Sequence, residues 1–163
     1  MNIRRIDPER DAAAIAEVYR PFVLSTDVTF EVIPPSAGEM ADRLKVFTSI
    51  VPGFLMEDDN GAVAGYCYAH PWKSFSAYST TFETTVYVAP SYARRGIGRA
   101  LMGNLVGECR QHGALALIAC ITGGNQASIK LHEALGFTQA SYFRRVGRKA
   151  GRLLDVVDYQ LLL

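Results

Sequence analysis

Between residues 98 and 112 the apolar side chains Leu101, Leu105 and Cys109 recur every four positions, the spacing of one helical face, and Gly113 stands just past the end. The next stretch, 115–121, is apolar without a break and predicts a strand covered on both faces. The same alternation of periods runs through the rest of the chain. Ile15, Val18, Tyr19 and Phe22 give a helix over 11–23. Met40, Leu44 and Phe47 share one face of a helix over 36–50, where Ser36 and Glu39 make a capping box. A fourth helix, 126–135, has Asn125 as its cap and Gly136 as its stop. Strands are predicted at 2–6, 52–57, 62–70, 78–89, 137–146 and 153–162. The second and third are joined by Asp58-Asp59-Asn60-Gly61, a hairpin signal because Asn and Gly tolerate positive φ, and the last two by a turn over 147–151. Pro90 closes the 78–89 strand, and 71–76 reads as a loop. Strands and helices interleaved in this order, with a β-α-β-α-β passage in the second half, predict one α/β or α+β domain over 1–163 on a mixed sheet.

Composition narrows the function classes. At 163 residues, with 49% apolar and 20% charged side chains, the chain has enough core for one domain. Seventeen Lys and Arg against sixteen Asp and Glu give a net charge of +1, which argues against a general nucleic-acid binder. The basic residues are local instead, at Arg94, Arg95 and Arg99 and again over 144–152, where Lys149 and Arg152 read as solvated turn charges. The three cysteines have no C-x-x-C spacing, which reads as reduced thiols in a reducing compartment. The first ten residues are charged rather than apolar, unlike a signal peptide, and the longest apolar run falls far short of the ~18 residues of a membrane span. A cytoplasmic protein with neither nucleic acid nor membrane as partner is expected. His70 and His112 stand apart with no Cys or His spacing beside them, so no metal site is expected.

The segment Val86 to Leu101 concentrates the chemistry: a strand ends at Pro90, a basic loop with Gly96 and Gly98 follows, and an amphipathic helix begins. The first backbone N–H groups of a helix lack intrahelical partners and sit at the positive end of its dipole, and glycines let the main chain approach an anion. That combination is a phosphate cradle. By itself such a segment also occurs as a glycine-bearing turn with solvated arginines. A P-loop needs Lys-Ser/Thr after its last glycine, where this chain has Arg99-Ala100, and a dinucleotide fingerprint needs a small residue where Leu101 stands.

Arg95-Gly96-Ile97-Gly98 after a strand resembles the pyrophosphate loop of the GCN5-related N-acetyltransferase (GNAT) family, Gln/Arg-x-x-Gly-x-Gly/Ala, except that Ala93 takes its first position. Asn125-x-x-Ser128-x-x-Leu131-His132 through Gly136-Phe137 resembles the family's second signature, with His132 where Tyr is usual. Thr29-Phe30, 69–73, Ala77-Tyr78, 83–88, 132–136 and 146–155 are similar to phosphinothricin and methionine-sulfoximine N-acetyltransferases, although an aromatic is usual at Leu153.

The resemblance implies a mostly antiparallel, twisted sheet of six to seven strands flanked by four helices. It also implies a splay at the strand ending near Val88, where a bulge frees an N–H for the oxyanion. It implies acetyl-CoA as co-substrate, bound by Val86, Tyr87, Val88, Arg94, Arg95, Gly96, Ile97, Gly98, Arg99, Asn125 and Ser128. The reaction implied is direct transfer, through a tetrahedral intermediate, to the amine of a small amino-acid-like substrate. Glu83, the one charge between Ser74 and Ser91, is the candidate base. His132 either serves the leaving thiolate or fills a polar gap on its helix. The acceptor would meet Phe30, Lys73, Ser74, Phe75 and Tyr78. Because the loop 71–78 holds Lys73 and no acid, cationic acceptors such as polyamines or aminoglycosides rank below amino-acid analogues. A protein N-terminus and a non-catalytic acyl-CoA-binding module are the other readings. The apolar last strand, 156–163, would suit a homodimer interface.

Overall fold

The computed structural model describes residues 1–163. Seven strands, β1 (Asn2–Arg5), β2 (Phe54–Glu57), β3 (Val63–Pro71), β4 (Thr81–Val88), β5 (Ala116–Thr122), β6 (Thr138–Lys149) and β7 (Arg152–Leu162), form one sheet in the order β1-β2-β3-β4-β5-β7-β6. The four helices are α1 (Pro8–Ser25), α2 (Ala37–Phe47), α3 (Ile97–Gln111) and α4 (Gln126–Ala134). Helices α1 and α2 bury Ile15, Val23 and Leu44 with Leu55 and Tyr66 on one side of the sheet. Helix α3 buries Leu101, Met102 and Leu105 with Leu117 and Phe137 on the other. No helix is long and apolar enough to cross a membrane.

Where a boundary differs from the expected one, the cause is local. Helix α1 begins earlier than the apolar spacing shows, because the Asp7 side chain accepts from the amides of Glu9 and Arg10 and Pro8 fits a first turn that needs no N–H donor. The capping box of α2 is present, with the Ser36 and Glu39 side chains each accepting from the other's backbone N–H. Tyr78 lies in a short 3₁₀ turn, Ser76–Tyr78, so β4 starts only at Thr81. The last hairpin turns on Ala150 and Gly151 alone, at φ +47° and +78°, so β6 runs on into the expected 147–151 turn and β7 starts one residue early, at Arg152. Strand β5 is buried except at Cys120, which lies in the wall of the cleft described below.

Only β4 and β5 run parallel, and their ladder holds for three pairs, Thr81↔Ala116 to Glu83↔Ile118. Strand β4 continues to Val88 paired with β3, in unbroken register from Pro71↔Phe82 to Gly65↔Val88. The sheet therefore splays along the strand that ends at Val88, but through divergence from β5 after Glu83 and not through a bulge. Strand β7 lies between β5 and β6, so the apolar last strand has no free edge; the open edge on that side belongs to β6.

Candidate active site

Backbone N–H groups alternate between the two edges of a strand. The Ala89 N–H donates to Ala64 O on the β3 side, 2.9 Å, so those of Val88 and Val86 point to the edge that β5 has left. After β4 the chain passes through the 3₁₀ turn Pro90–Tyr92 and two left-handed residues, Arg94 at φ +61° and Gly96 at φ +79°, into α3. The bond from Ala100 N to Gly96 O, 3.0 Å, is the first of that helix, which leaves the N–H groups of Ile97, Gly98 and Arg99 without intrahelical acceptors.

These donors and the helix dipole border a cleft of about 1010 Å³. Of the residues assigned to acetyl-CoA, Val86, Tyr87, Val88, Arg94, Gly96, Ile97, Gly98, Arg99, Asn125 and Ser128 line it. Arg95 does not; its guanidinium lies over the Tyr92 ring, 5.3 Å from the centroid. Ala93 lines the cleft with only a methyl group, leaving main-chain amides as the donors there. Volume, a row of unpaired N–H groups and a left-handed glycine at a helix start together fit a nucleotide pyrophosphate with a thioester arm. Leu131, Tyr92 and Thr122 also line the cleft. Helical spacing from Ser128 points to Leu131, whereas nothing in the sequence marks the other two.

Glu83 lines this cleft and also a second cavity of about 280 Å³ on the α1 and α2 side, walled by Tyr19, Tyr66, Tyr68, Tyr87, Arg43 and Glu31 among others. Burial raises the Glu83 carboxyl above its ordinary range; His70, its register partner on β3, pulls the other way and Asp158 adds to the rise. Burial likewise pushes the Tyr68 phenol to about 12, so that phenol stays protonated at working pH. Arg43 reaches the second cavity from α2 and pairs with Glu31.

His132 is 3% exposed and lies in the wall of the large cleft. Its Nδ1 lies 2.8 Å from Ser128 O and 3.3 Å from Ser128 Oγ, and its buried Nε2 has no partner. Donation from Nδ1 to the carbonyl leaves Nε2 as an acceptor, and burial lowers the imidazole pKa. Both effects favour the neutral ring with its lone pair on Nε2.

The acceptor residues divide. Phe30 lines the cleft. Lys73, Ser74, Phe75 and Tyr78 line neither cavity: the Lys73 ammonium sits over Trp72, 4.3 Å from the ring centroid, and Phe75 is 73% exposed. Of the two charges read as solvated turn residues, Arg152 is exposed and Lys149 is not. Lys149 is buried and donates to Thr29 O at 2.8 Å, and Arg152 pairs with Asp27.

The acetyltransferase (GNAT) family profile matches residues 25–137. An L-methionine sulfoximine/L-methionine sulfone acetyltransferase from Salmonella typhimurium is 38% identical over 168 aligned positions, covering all of this chain and 95% of that protein. A solved GNAT superfamily phosphinothricin acetyltransferase from Sinorhizobium meliloti, in complex with acetyl-CoA, matches with a TM-score of 0.95 at 38% identity, over 99% of this chain and 88% of that one. A ribosomal-protein-alanine N-acetyltransferase from Brucella melitensis matches with a TM-score of 0.95 at 32% identity over the whole of both chains.

Proposed function

The chain belongs to the acetyltransferase (GNAT) family, and from that premise we propose that it acetylates the α-amino group of a small amino-acid analogue of the methionine sulfoximine, methionine sulfone or phosphinothricin type. It is an acyltransferase, with acetyl-CoA as its donor. Bound acetyl-CoA supplies an activated thioester carbonyl; what the protein adds is position, a proton acceptor and oxyanion donors. In this reading the N-terminus of α3 and the loop from Arg94 to Gly98 hold the pyrophosphate. The N–H groups of Val86 and Val88 orient the pantetheine arm and stabilise the oxyanion of a tetrahedral intermediate. Glu83 takes the amine proton, directly or through a water, and the Nε2 lone pair of His132 accepts a hydrogen bond near the thiol.

One observation carries the reading: Glu83 borders both cavities, the large one suited to the donor and, at its Thr29–Phe30 wall, to the acceptor's side chain, and the small one suited to the acceptor's polar amino-acid head. The Arg43 guanidinium, paired with Glu31 in the same wall, supports this with the remaining N–H donors of its fork, suited to a carboxylate or a strongly polar head. Lys73, Ser74, Phe75 and Tyr78 remain outside that account. A protein N-terminus is the competing acceptor, since the Brucella structure matches the fold equally well. The chain's exposed Tyr142, Phe143 and Val146 on β6 support a homodimer, and its unpaired cysteines support a cytoplasmic location.

The decisive experiment follows thiol release from acetyl-CoA with methionine sulfoximine, methionine sulfone, phosphinothricin, spermidine, an aminoglycoside and a peptide amine. The highest kcat/KM is expected for one of the first three. Preference for the peptide amine or spermidine would overturn the acceptor class while leaving the acetyltransferase intact.

A further inference from the structure

We propose that Lys149 is a positioning residue: with Gly147 it latches the wall at Thr29–Phe30 and thereby sets acceptor affinity, although it touches neither cavity. The inference rests on the acceptor reading above and adds to it a specificity determinant located in the last hairpin.

Thr29 and Phe30 line the cleft from the connection between α1 and α2, which has no regular structure to hold it. Its local anchors are the hydrogen bond between Tyr19 Oη and Thr29 Oγ1 and the pair of Glu31 with Arg43, and further ones come from far along the chain. The Lys149 ammonium donates to Thr29 O, 2.8 Å, across 120 residues of sequence. Two residues earlier on β6, Gly147 seats the Phe30 ring: a Cβ added there would lie 2.1 Å from Phe30 Cε2 and 2.6 Å from its Cζ. Thr122 Oγ1 donates to Asp27 O at 2.8 Å, and Arg152 pairs with Asp27, so the same connection is also pinned two residues before Thr29.

Lys149 is the informative member. It is 7% exposed and forms no ion pair, so its charge is buried against a neutral carbonyl, with Glu31 as the acid that favours its charged form. A buried ammonium is unfavourable unless it is well hydrogen-bonded, and an apolar side chain of similar length would fill the space more cheaply. What Lys149 supplies beyond filling is a directional bond to the peptide that carries Phe30. The irregularity in β6 between Phe143 and Gly147, with Arg145 at φ +54°, breaks the ladder just before these two residues and brings their face onto the connection.

The test uses Lys149→Met, Lys149→Arg and Gly147→Ala in the full chain. Lys149→Met is expected to raise the acceptor KM about fivefold to tenfold, the worth of one charged hydrogen bond, with kcat and acetyl-CoA affinity by calorimetry changing less than about twofold. Lys149→Arg, which keeps a charged donor, should recover part of the loss. Gly147→Ala, which displaces the ring without touching the lysine, should also raise acceptor KM. Combining Lys149→Met with Phe30→Ala should give less than the sum of the single effects. An unchanged acceptor KM in Lys149→Met, or a parallel loss of acetyl-CoA affinity, overturns the latch while wild-type turnover still supports the acceptor reading. Should wild type acetylate none of the amines, that reading fails separately, and amide exchange over residues 27–32 decides the latch: faster exchange in Lys149→Met sustains it, and unchanged exchange sinks it. If Lys149→Met does not fold, Gly147→Ala takes its place in these measurements: a raised acceptor KM or faster exchange over 27–32 sustains the latch, and no change in either sinks it.

Discussion

A carboxylate takes a proton from an ammonium group more readily the nearer its pKa lies to that of the amine. Burial moves Glu83 in that direction, with Asp158 assisting and His70 opposing. The active form is the deprotonated one. Activity should therefore fall as pH drops through the raised Glu83 pKa, placing the acid limb of kcat/KM above the ordinary carboxylate range. Glu83→Gln should keep the fold and lower kcat by roughly 10²–10⁴, and higher pH should partly rescue it by supplying free amine. A pH–rate profile in which the variant keeps the wild-type acid limb would assign the base elsewhere. Glu83 was legible because it is the only charge in a long uncharged stretch. Arg43 was not, because a basic residue on a helix reads as solvated until α2 folds against the tyrosines. Lys73 shows the converse: its charge in an acid-free loop pointed toward an acceptor, yet within this chain Trp72 holds it by a cation–π contact away from both cavities.

At the scale of an element, the start of α3 separates two reasons for a glycine. Gly96 has nothing within 4 Å of an added Cβ but stands at φ +79°, so its substitution is resisted by backbone conformation alone. Gly98 has ordinary helical geometry, but a Cβ there would meet Leu131 Cδ2 at 3.2 Å and Val88 Cγ2 at 3.6 Å, where α3 closes on α4 and on the end of β4. Gly96→Ala should cost about 1–2 kcal/mol of stability through left-handed strain. Gly98→Val should cost about 1–3 kcal/mol through overpacking and push apart the elements that border the cleft. Both should weaken acetyl-CoA binding in calorimetry, by about tenfold or more for Gly98→Val if roughly 1.4 kcal/mol of the overpacking falls on the bound state. Normal affinity in folded glycine variants would show that the loop is not the pyrophosphate site. The loop was readable because strand, glycines and helix follow one another in sequence. The Ala150-Gly151 turn was less so, since alanine gives no signal of a positive φ that only the pairing of β6 with β7 imposes.

Over the whole molecule, the sheet is two antiparallel blocks joined by the three β4–β5 pairs. Local patterns predicted the strands and the passage β4-α3-β5-α4-β6, but sequence order does not show that β7 inserts between β5 and β6, because that pairing is decided by which faces the helices cover. The same joint explains where the donor binds: with β5 gone, the Val86 and Val88 N–H groups face the wedge while those of Tyr87 and Ala89 face β3. Amide exchange by NMR tests this directly. In the free protein Val86 and Val88 should exchange faster than Tyr87, although all three lie in one strand, because only the latter has a strand partner. Acetyl-CoA should slow Val86 and Val88 selectively, and at a hundredfold excess over Kd it should add about 2.7 kcal/mol to the stability of the whole chain through linkage. Coupling between the blocks predicts that this gain reaches β6 and β7, whose amides should slow together with those of β3, since a ligand filling the wedge contacts both sides of the joint. Slow exchange at Val86 and Val88 without the donor would mean that these amides already have partners, and the wedge would then lose its role in holding the thioester.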